Sequence, residues 1–324
     1  MKTQYGKTCK YAADFETTVY EGQETTEVWS AAFIELYTET PIVMNSIEDF
    51  LNFFFQCGRN VTIYFHNLKF DGSFILDYLK RNKQYKEAII KNQDETRWVP
   101  YKYIKKGQYQ YSISSKGQWY KIFIKSKYGN NITILDSLKL MPFSLDEIGK
   151  CFNTKHRKSS MKYEGKRFAG CEITDEEMSY IENDVFVLKE ALEYMFSEGH
   201  DKMTIGACCM SEYKGMLGMD DFDMFFPNIY NNDIDLGYGY PTEGDYVRSS
   251  YRGAWTYLAK GKENKVFHNG LTLDVNSLYP SMMHSISGNR YPVGKGCFWE
   301  GNYIPEKCSQ PNIVYFIRIK TSFR

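Results

Sequence analysis

No apolar run in this chain reaches the roughly 18 residues that a membrane-spanning helix needs, and residues 1–10 are polar without the apolar core of a secretory signal. The eight cysteines (Cys9, Cys57, Cys151, Cys171, Cys208, Cys209, Cys297 and Cys308) form no C-x-x-C pair and meet no histidine at zinc-finger spacing. They read as reduced, mostly buried thiols, and a soluble chain in a cytoplasmic setting is expected. An excess of either charge is also missing: Lys+Arg and Asp+Glu cancel at 40 each, so attraction for an anionic partner must be local. Repeats and low-complexity tracts are absent. What is present is size and apolar content: 324 residues at 43% hydrophobic predict one large domain plus part of another. Aromatics reach 17%, with 27 Tyr and 22 Phe. Many tyrosines must therefore have a buried ring and a wet hydroxyl, and such rings also suit stacking on bases.

Residues 9–15 (CKYAADF) and 27–36 (EVWSAAFIEL) are short apolar runs around a polar stretch, which predicts a hairpin of core strands. A third strand is expected at residues 61–65 (VTIYF), with a helical period beginning at residues 73–80. Residues 97–135, rich in Tyr, Ile and Lys and punctuated by Gly107, Gly117 and Gly129, predict successive antiparallel strands. The clearest helix starts at Thr174, where Thr174 and Glu177 form a capping-box pattern, and stops near Gly199. Residues 201–245 read as an irregular connector. Residues 271–274 (LTLD) and 312–320 (NIVYFIRIK) read as further strands.

Asp14 and Glu16 stand two apart at the end of a predicted strand, so both carboxylates leave one face of the sheet. Alone, such a pair more often opens a solvated turn. Three other segments alter that balance. In residues 64–76 (YFHNLKFDGSFIL) a strand delivers Asn67, Phe70 and Asp71 to the start of a helix; an Asx turn with an N-cap Asp is the competing explanation. On the capped helix, Tyr180 and Asp184 share a face, beside the apolar row of Ile181, Val185 and Leu188. Lys158 and Met161 lie in the loop before it. Four carboxylates with hard oxygen donors suit Mg²⁺ or Mn²⁺. Phosphodiester hydrolysis uses two such ions about 3.5–4 Å apart, one serving the attacking water and one the leaving 3′ oxygen. A tyrosine hydroxyl can orient that water, and a lysine can offset phosphate charge.

Taken in order, DFETT (14–18), HNLKFDGSF (66–74), DSLKLMPF (136–143) and YIENDVFVLKEAL (180–192) resemble the exonuclease motifs of the protein-primed family B DNA polymerases of bacteriophages and linear plasmids. The resemblance implies an α/β, RNase H-like (DnaQ-like) exonuclease domain over residues 1–199, with a mixed sheet flanked by helices. A connector over 200–250 and the start of an α+β polymerase palm over 251–324 would follow. It implies a metal-dependent 3′–5′ proofreading exonuclease in which Asp14, Glu16, Asp71 and Asp184 bind metal, with Tyr180 and Lys158 as auxiliary catalytic groups. Thr17, His66, Asn67, Phe70, Phe74, Ser137, Leu138 and Tyr163 would hold a single-stranded 3′ end.

YRGAW (251–255) resembles the family's linker motif at the template strand, with Tyr251, Arg252 and Gly253 in place and Ala254 where a second glycine is usual. LDVNSLYPSMM (273–283) is similar to its first polymerase motif. There Asp274 would bind metal, Tyr279 would lie under the incoming sugar, and Ser277, Leu278, Tyr279 and Pro280 would contact the nucleotide. No aspartate follows Asp274, however, and a polymerase site needs a second one. The expectation is therefore a trimming enzyme with an incomplete palm, acting on primer–template DNA, with a terminal protein primer and a second chain as further partners. A non-catalytic half of a split polymerase and a standalone RNase H-like nuclease are the alternatives.

Overall fold

The computed structural model describes residues 8–17, 20–91, 96–161, 166–234, 239–253 and 255–319. These divide into two compact units, residues 1–212 and 213–324.

In the first unit the elements are β1 (Cys9–Thr17), β2 (Val28–Glu35), β3 (Ile42–Met44), α1 (Ile47–Gln56), β4 (Val61–Phe65), α2 (Leu68–Arg81), β5 (Lys86–Glu87), β6 (Ile89–Lys91), β7 (Thr96–Trp98), β8 (Gln108–Ile113), β9 (Trp119–Lys125), β10 (Asn131–Asp136), α3 (Leu145–Cys151) and α4 (Asp175–Ser197). Eight strands make a mixed sheet in the order β3-β2-β1-β4-β10-β9-β8-β5, while β6 and β7 form a separate ribbon. The central β1, β4 and β10 are parallel, and the expected β1–β2 hairpin is antiparallel. Strands 8, 9 and 10 pair antiparallel as their sequence predicts.

Strand alternation divides the core. Tyr11, Ala13 and Phe15 point to one face with α1 and α2, whereas Ala12 points to the other with α3 and α4. Much of the phenylalanine content is spent under α1. Phe33, Phe50 and Phe54 meet edge-on or tilted at centroid distances of 4.9–5.5 Å. On the opposite face Ile181, Val185 and Leu188 of α4 are buried, as their spacing predicts. The Thr174/Glu177 capping box is formed in both directions.

Several sequence expectations need correction. Helix α2 begins at Leu68, five residues before the expected period, because its first turn is capped from another strand (below). The stretch expected to be an irregular connector holds α5 (Ile205–Leu217), α6 (Met219–Phe225) and the start of α7 (Glu243–Ser249). Here the Thr204 hydroxyl accepts the Ala207 N–H at the head of α5, and Gly218 at φ 87° breaks the chain into α6. The cysteines are free thiols, but only Cys208 is fully buried.

In the second unit the segments 271–274 and 312–319 are not strands; Lys320 lies outside the described residues. A lone extended segment has no ladder to complete, and neither finds a partner among the described residues. Leu271 and Leu273 accordingly stay exposed. The unit's clear elements are α6, α7 and α8 (Leu278–Met283).

Candidate functional site

The site forms where the parallel strands end. β1 pairs with β4 only from Cys9 to Ala12 and continues alone against β2, leaving a gap beside its C-terminal half. Strand alternation turns Asp14 and Glu16 to the α4 face, as their spacing predicts. Helix α4 crosses β1 there and supplies Asp184, which is 1% exposed. Ligating oxygens of Asp14, Glu16 and Asp184 all lie within 4.8 Å of one another. Asp71, in the first turn of α2, enters the gap beside them and takes the backbone N–H of Phe15. It stands outside the tight three-acid group but is the strongest charged neighbour of Asp14.

Such crowding has an electrostatic cost. Burial, then the carboxylates of Asp71, Glu16 and Asp184, push Asp14 well above the usual carboxylate range, with Lys158 opposing them. Burial pushes Asp71 up to about 8, although the N–H groups of Asp71 and Phe15 favour its charged form. Asp184 is also raised by burial, against the pull of Lys158, whose Nζ lies 2.6 Å from Asp184 Oδ2. Lys158 itself is raised: burial opposes its charge, but the bond to Asp184 outweighs it. Burial raises Tyr180, which keeps its proton as a hydroxyl beside the cluster.

Asp71 Oδ1 and Asp184 Oδ1 are buried and accept no hydrogen bond. Buried carboxylate oxygens without donors, facing other carboxylates, are a poor arrangement for a bare protein and a good one for a divalent cation. The donor set therefore fits a hard divalent cation.

Around the acids, a second group of residues is fixed by Asp136 at the end of β10. Its buried Oδ1 accepts the N–H groups of Asn67, Leu68 and Leu138, capping α2 from outside. Asp71 is thus not the cap that a local reading allows. Asn67 sits in the left-handed region at φ 69°, and its side chain makes no cap bond and is exposed. Phe70 and Phe74 lie one turn apart on α2, edge to face at 5.5 Å, with Phe70 47% exposed. His66 is held at both ring nitrogens, 3.0 Å from Ser137 Oγ and 2.7 Å from the Phe143 carbonyl. Burial lowers its pKa.

Ser137 adjoins His66 directly after β10. It is 1% exposed, and its hydroxyl is spent on the Phe65 carbonyl and His66, so its side chain serves to position His66. Leu138 is partly exposed beside it, as is Thr17 at the irregular end of β1. Tyr163 lies outside the described residues. The residue that sequence reading missed is Asp136; its signal was an acid ending a strand directly before SLK. A further constraint is Gly72, where an added Cβ would fall 2.8 Å from the Trp119 ring and 3.1 Å from Leu68.

Against known families, residues 56–171 and 166–323 match the model for type B DNA polymerases, organellar and viral. The chain belongs to that family. This type B polymerase sequence is 33% identical to the DNA polymerase of Bacillus phage phi29 over 300 residues, or 91% of this chain and 47% of that protein. It is 32% identical to the DNA polymerase of Bacillus phage M2 over 320 residues, covering 97% of this chain and 50% of that one. It thus spans about half the length of these relatives. The phi29 DNA polymerase complexed with primer–template DNA and incoming nucleotides superposes with a TM-score of 0.71 at 31% identity, covering 93% of this chain and 48% of that one. The same enzyme with single-stranded DNA gives 0.67 at 32%, covering 93% and 49%. The fold of the first unit is accordingly the RNase H-like one.

The segments that resemble the family's polymerase motifs lie in the second unit. Tyr251, Arg252 and Gly253 are exposed directly after α7, and Ala254 lies outside the described residues. Ser277 occupies the left-handed region at φ 51° and opens α8, which carries Leu278, Tyr279 and Pro280. Tyr279 is 72% exposed. Asp274 is exposed, and among the described residues it joins no group of three metal-ligating side chains.

Proposed function

We propose that the first unit is a 3′–5′ exonuclease that trims single-stranded DNA ends, the proofreading component of a polymerase. The observation that carries this reading is the convergence of Asp14, Glu16 and Asp184 within 4.8 Å, with Asp71 alongside. Asp14, Glu16, Asp71 and Asp184 would hold Mg²⁺ or Mn²⁺, which when bound supplies activation of water and charge stabilisation at the scissile phosphate. Lys158, held against Asp184, brings a fixed positive charge to the phosphate, and the neutral Tyr180 hydroxyl can orient the attacking water. Phe70 and Phe74 offer stacking surfaces to the terminal bases, while Asn67 and the tethered His66 offer hydrogen bonds. A relative solved with single-stranded and with primer–template DNA supports DNA as the substrate.

The wider reading follows from the same family. The chain works in the host cytoplasm as part of a protein-primed replicative polymerase. Tyr251, Arg252 and Gly253 meet the template, and Asp274 with residues 277–280 belongs to the nucleotide site. Asp274 is the last aspartate in the sequence, so a second palm aspartate is not among these 324 residues.

The test is direct. A 5′-labelled single strand incubated with Mn²⁺ or Mg²⁺ is expected to shorten in single-nucleotide steps from its 3′ end. Asp14→Ala and Asp184→Ala, each folded by circular dichroism, are expected to abolish the ladder. Unchanged rates in both variants would overturn the assignment.

A further inference from the structure

The charge that cancels over the whole chain is not evenly spread. Residues 96–135 contain eight Lys or Arg and not one Asp or Glu, interleaved with six tyrosines. Along that segment the structure forms a cavity of about 460 Å³, walled by Trp98, Tyr101 and Tyr111 and lined by Gln110 and Ser112. Its volume lies in the range of small-molecule pockets, roughly 300–1,000 Å³. The Trp98 and Tyr111 rings meet edge to face at 4.9 Å, and Lys121 Nζ lies 4.1 Å from the centre of the half-exposed Tyr101 ring.

Gln110 marks the pocket as more than an apolar dent. It is 4% exposed, and its Oε1 is buried with no hydrogen-bond partner. A buried carbonyl oxygen left without a donor is costly to the fold, and a ligand N–H would relieve it.

Strand register also places this pocket relative to the carboxylates. Gln110 pairs across to Phe123, Phe123 to Thr133, Thr133 to Thr62, and Thr62 to Lys10. Lys10 and Asp14 are four apart on β1, so Gln110 and Asp14 face the same side of the sheet, while Tyr111 packs on the other side and the pocket wraps the edge of β8. Strand β8 is four positions from β1, a separation of about 19 Å at ~4.8 Å per strand. A few nucleotides of single strand can cover that distance.

We propose that this pocket holds one unpaired, amino-bearing base of a DNA strand whose 3′ end lies at the carboxylates. Trp98 and Tyr101 stack on the base, Gln110 Oε1 accepts its exocyclic amine, and the surrounding lysines neutralise neighbouring phosphates. Cytosine offers an N4 amine at the position where thymine presents its O4 acceptor, so cytosine is favoured. This inference rests on the trimming reading only for the position of the 3′ end.

Binding of short oligo(dC) and oligo(dT) by the full chain is measured in EDTA, where no cleavage intervenes. Trp98→Ala and Tyr101→Ala are each expected to weaken oligo(dC) binding about tenfold, while Tyr101→Phe retains it. Gln110→Leu is expected to erase the preference for oligo(dC) over oligo(dT). Photocrosslinking of a strand carrying 5-iododeoxycytidine is expected to mark Trp98 or Tyr101. Thermal unfolding of each variant confirms folding, and the half-exposed Tyr101 guards against a collapsed Trp98 variant. Parental binding by both alanine variants would overturn the proposal. Lost binding in these variants, alongside a protein that never trims, would overturn the trimming reading and leave the pocket standing.

Discussion

The ammonium of Lys158 lies 2.6 Å from Oδ2 of Asp184, joining the loop before α4 to the most buried acid of the cluster. The bond partly offsets a group of carboxylates that would otherwise repel one another without compensation. On the trimming reading, Lys158→Ala is expected to lower the cleavage rate by about 10²-fold, the usual loss for a positioned charged group. The Mn²⁺ concentration for half-maximal activity should not rise, because removing a cation does not weaken a cation site. A raised requirement for Mn²⁺ would show instead that Lys158 serves mainly to hold the ligands in place.

The raised pKa of Asp71 makes a statement about stability. Its folded value of about 8 lies above that of an ordinary carboxylate, so between pH 4 and 8 the folded chain holds a proton that the unfolded chain has lost. The metal-free protein is therefore expected to lose stability as pH rises through that window, with Asp14 adding in the same direction. Mn²⁺ binds the deprotonated form, so the melting temperature gained on adding it should be larger at pH 8.5 than at pH 6. A gain independent of pH, measured by scanning fluorimetry, would contradict the ligand assignment.

Asp136 accepts three backbone N–H groups and lies 3.7 Å from Lys139 Nζ. Asp136→Ala strands those donors at the head of α2 and is expected to cost about 3 kcal/mol in chemical denaturation. It should also weaken single-strand binding in EDTA, since Asn67 and Phe70 follow directly on the capped turn. A drop in stability with binding intact would confine Asp136 to the fold.

Glu177 is an acid of the opposite kind. Burial works against its charge, but the Thr174 N–H and hydroxyl and the Arg167 guanidinium outweigh it and hold its pKa below the usual value. Its contribution is present above about pH 4.5 and is lost as pH falls through the lowered folded value. Glu177→Gln is expected to cost about 1–2 kcal/mol at pH 7. That difference from the parent should shrink toward pH 3, as measured by urea unfolding.

Much of the first unit was legible because its signals are local. Alternation in β1, the apolar run of β4 and the capping box at Thr174 each specify an element within a few residues. The pairing of Asp14 with Glu16 on one face follows from the same alternation. What sequence could not supply was long-range. The cap of α2 is Asp136, 68 residues from the Leu68 N–H it receives, and nothing near residue 68 announces it. The burial of Ser137 likewise depends on its bonds to Phe65 and His66. The helices at 205–225 were masked by methionines and aspartates that spoil an apolar period, although Thr204 and Gly218 bracket the first of them. The segments 271–274 and 312–319 have strand-like composition, and composition cannot provide a partner.

Gly72 bears on how far this site tolerates engineering. Its backbone leaves no room for a methyl group between α2 and the Trp119 ring, and the residue beside it in sequence is Asp71. A saturation library at position 72 would return glycine alone among active clones. A compensating change at Trp119 would be the first place to look for a suppressor. Latitude at the carboxylates is thus limited by an indole on a neighbouring strand, a coupling that a library confined to the acids would not explore.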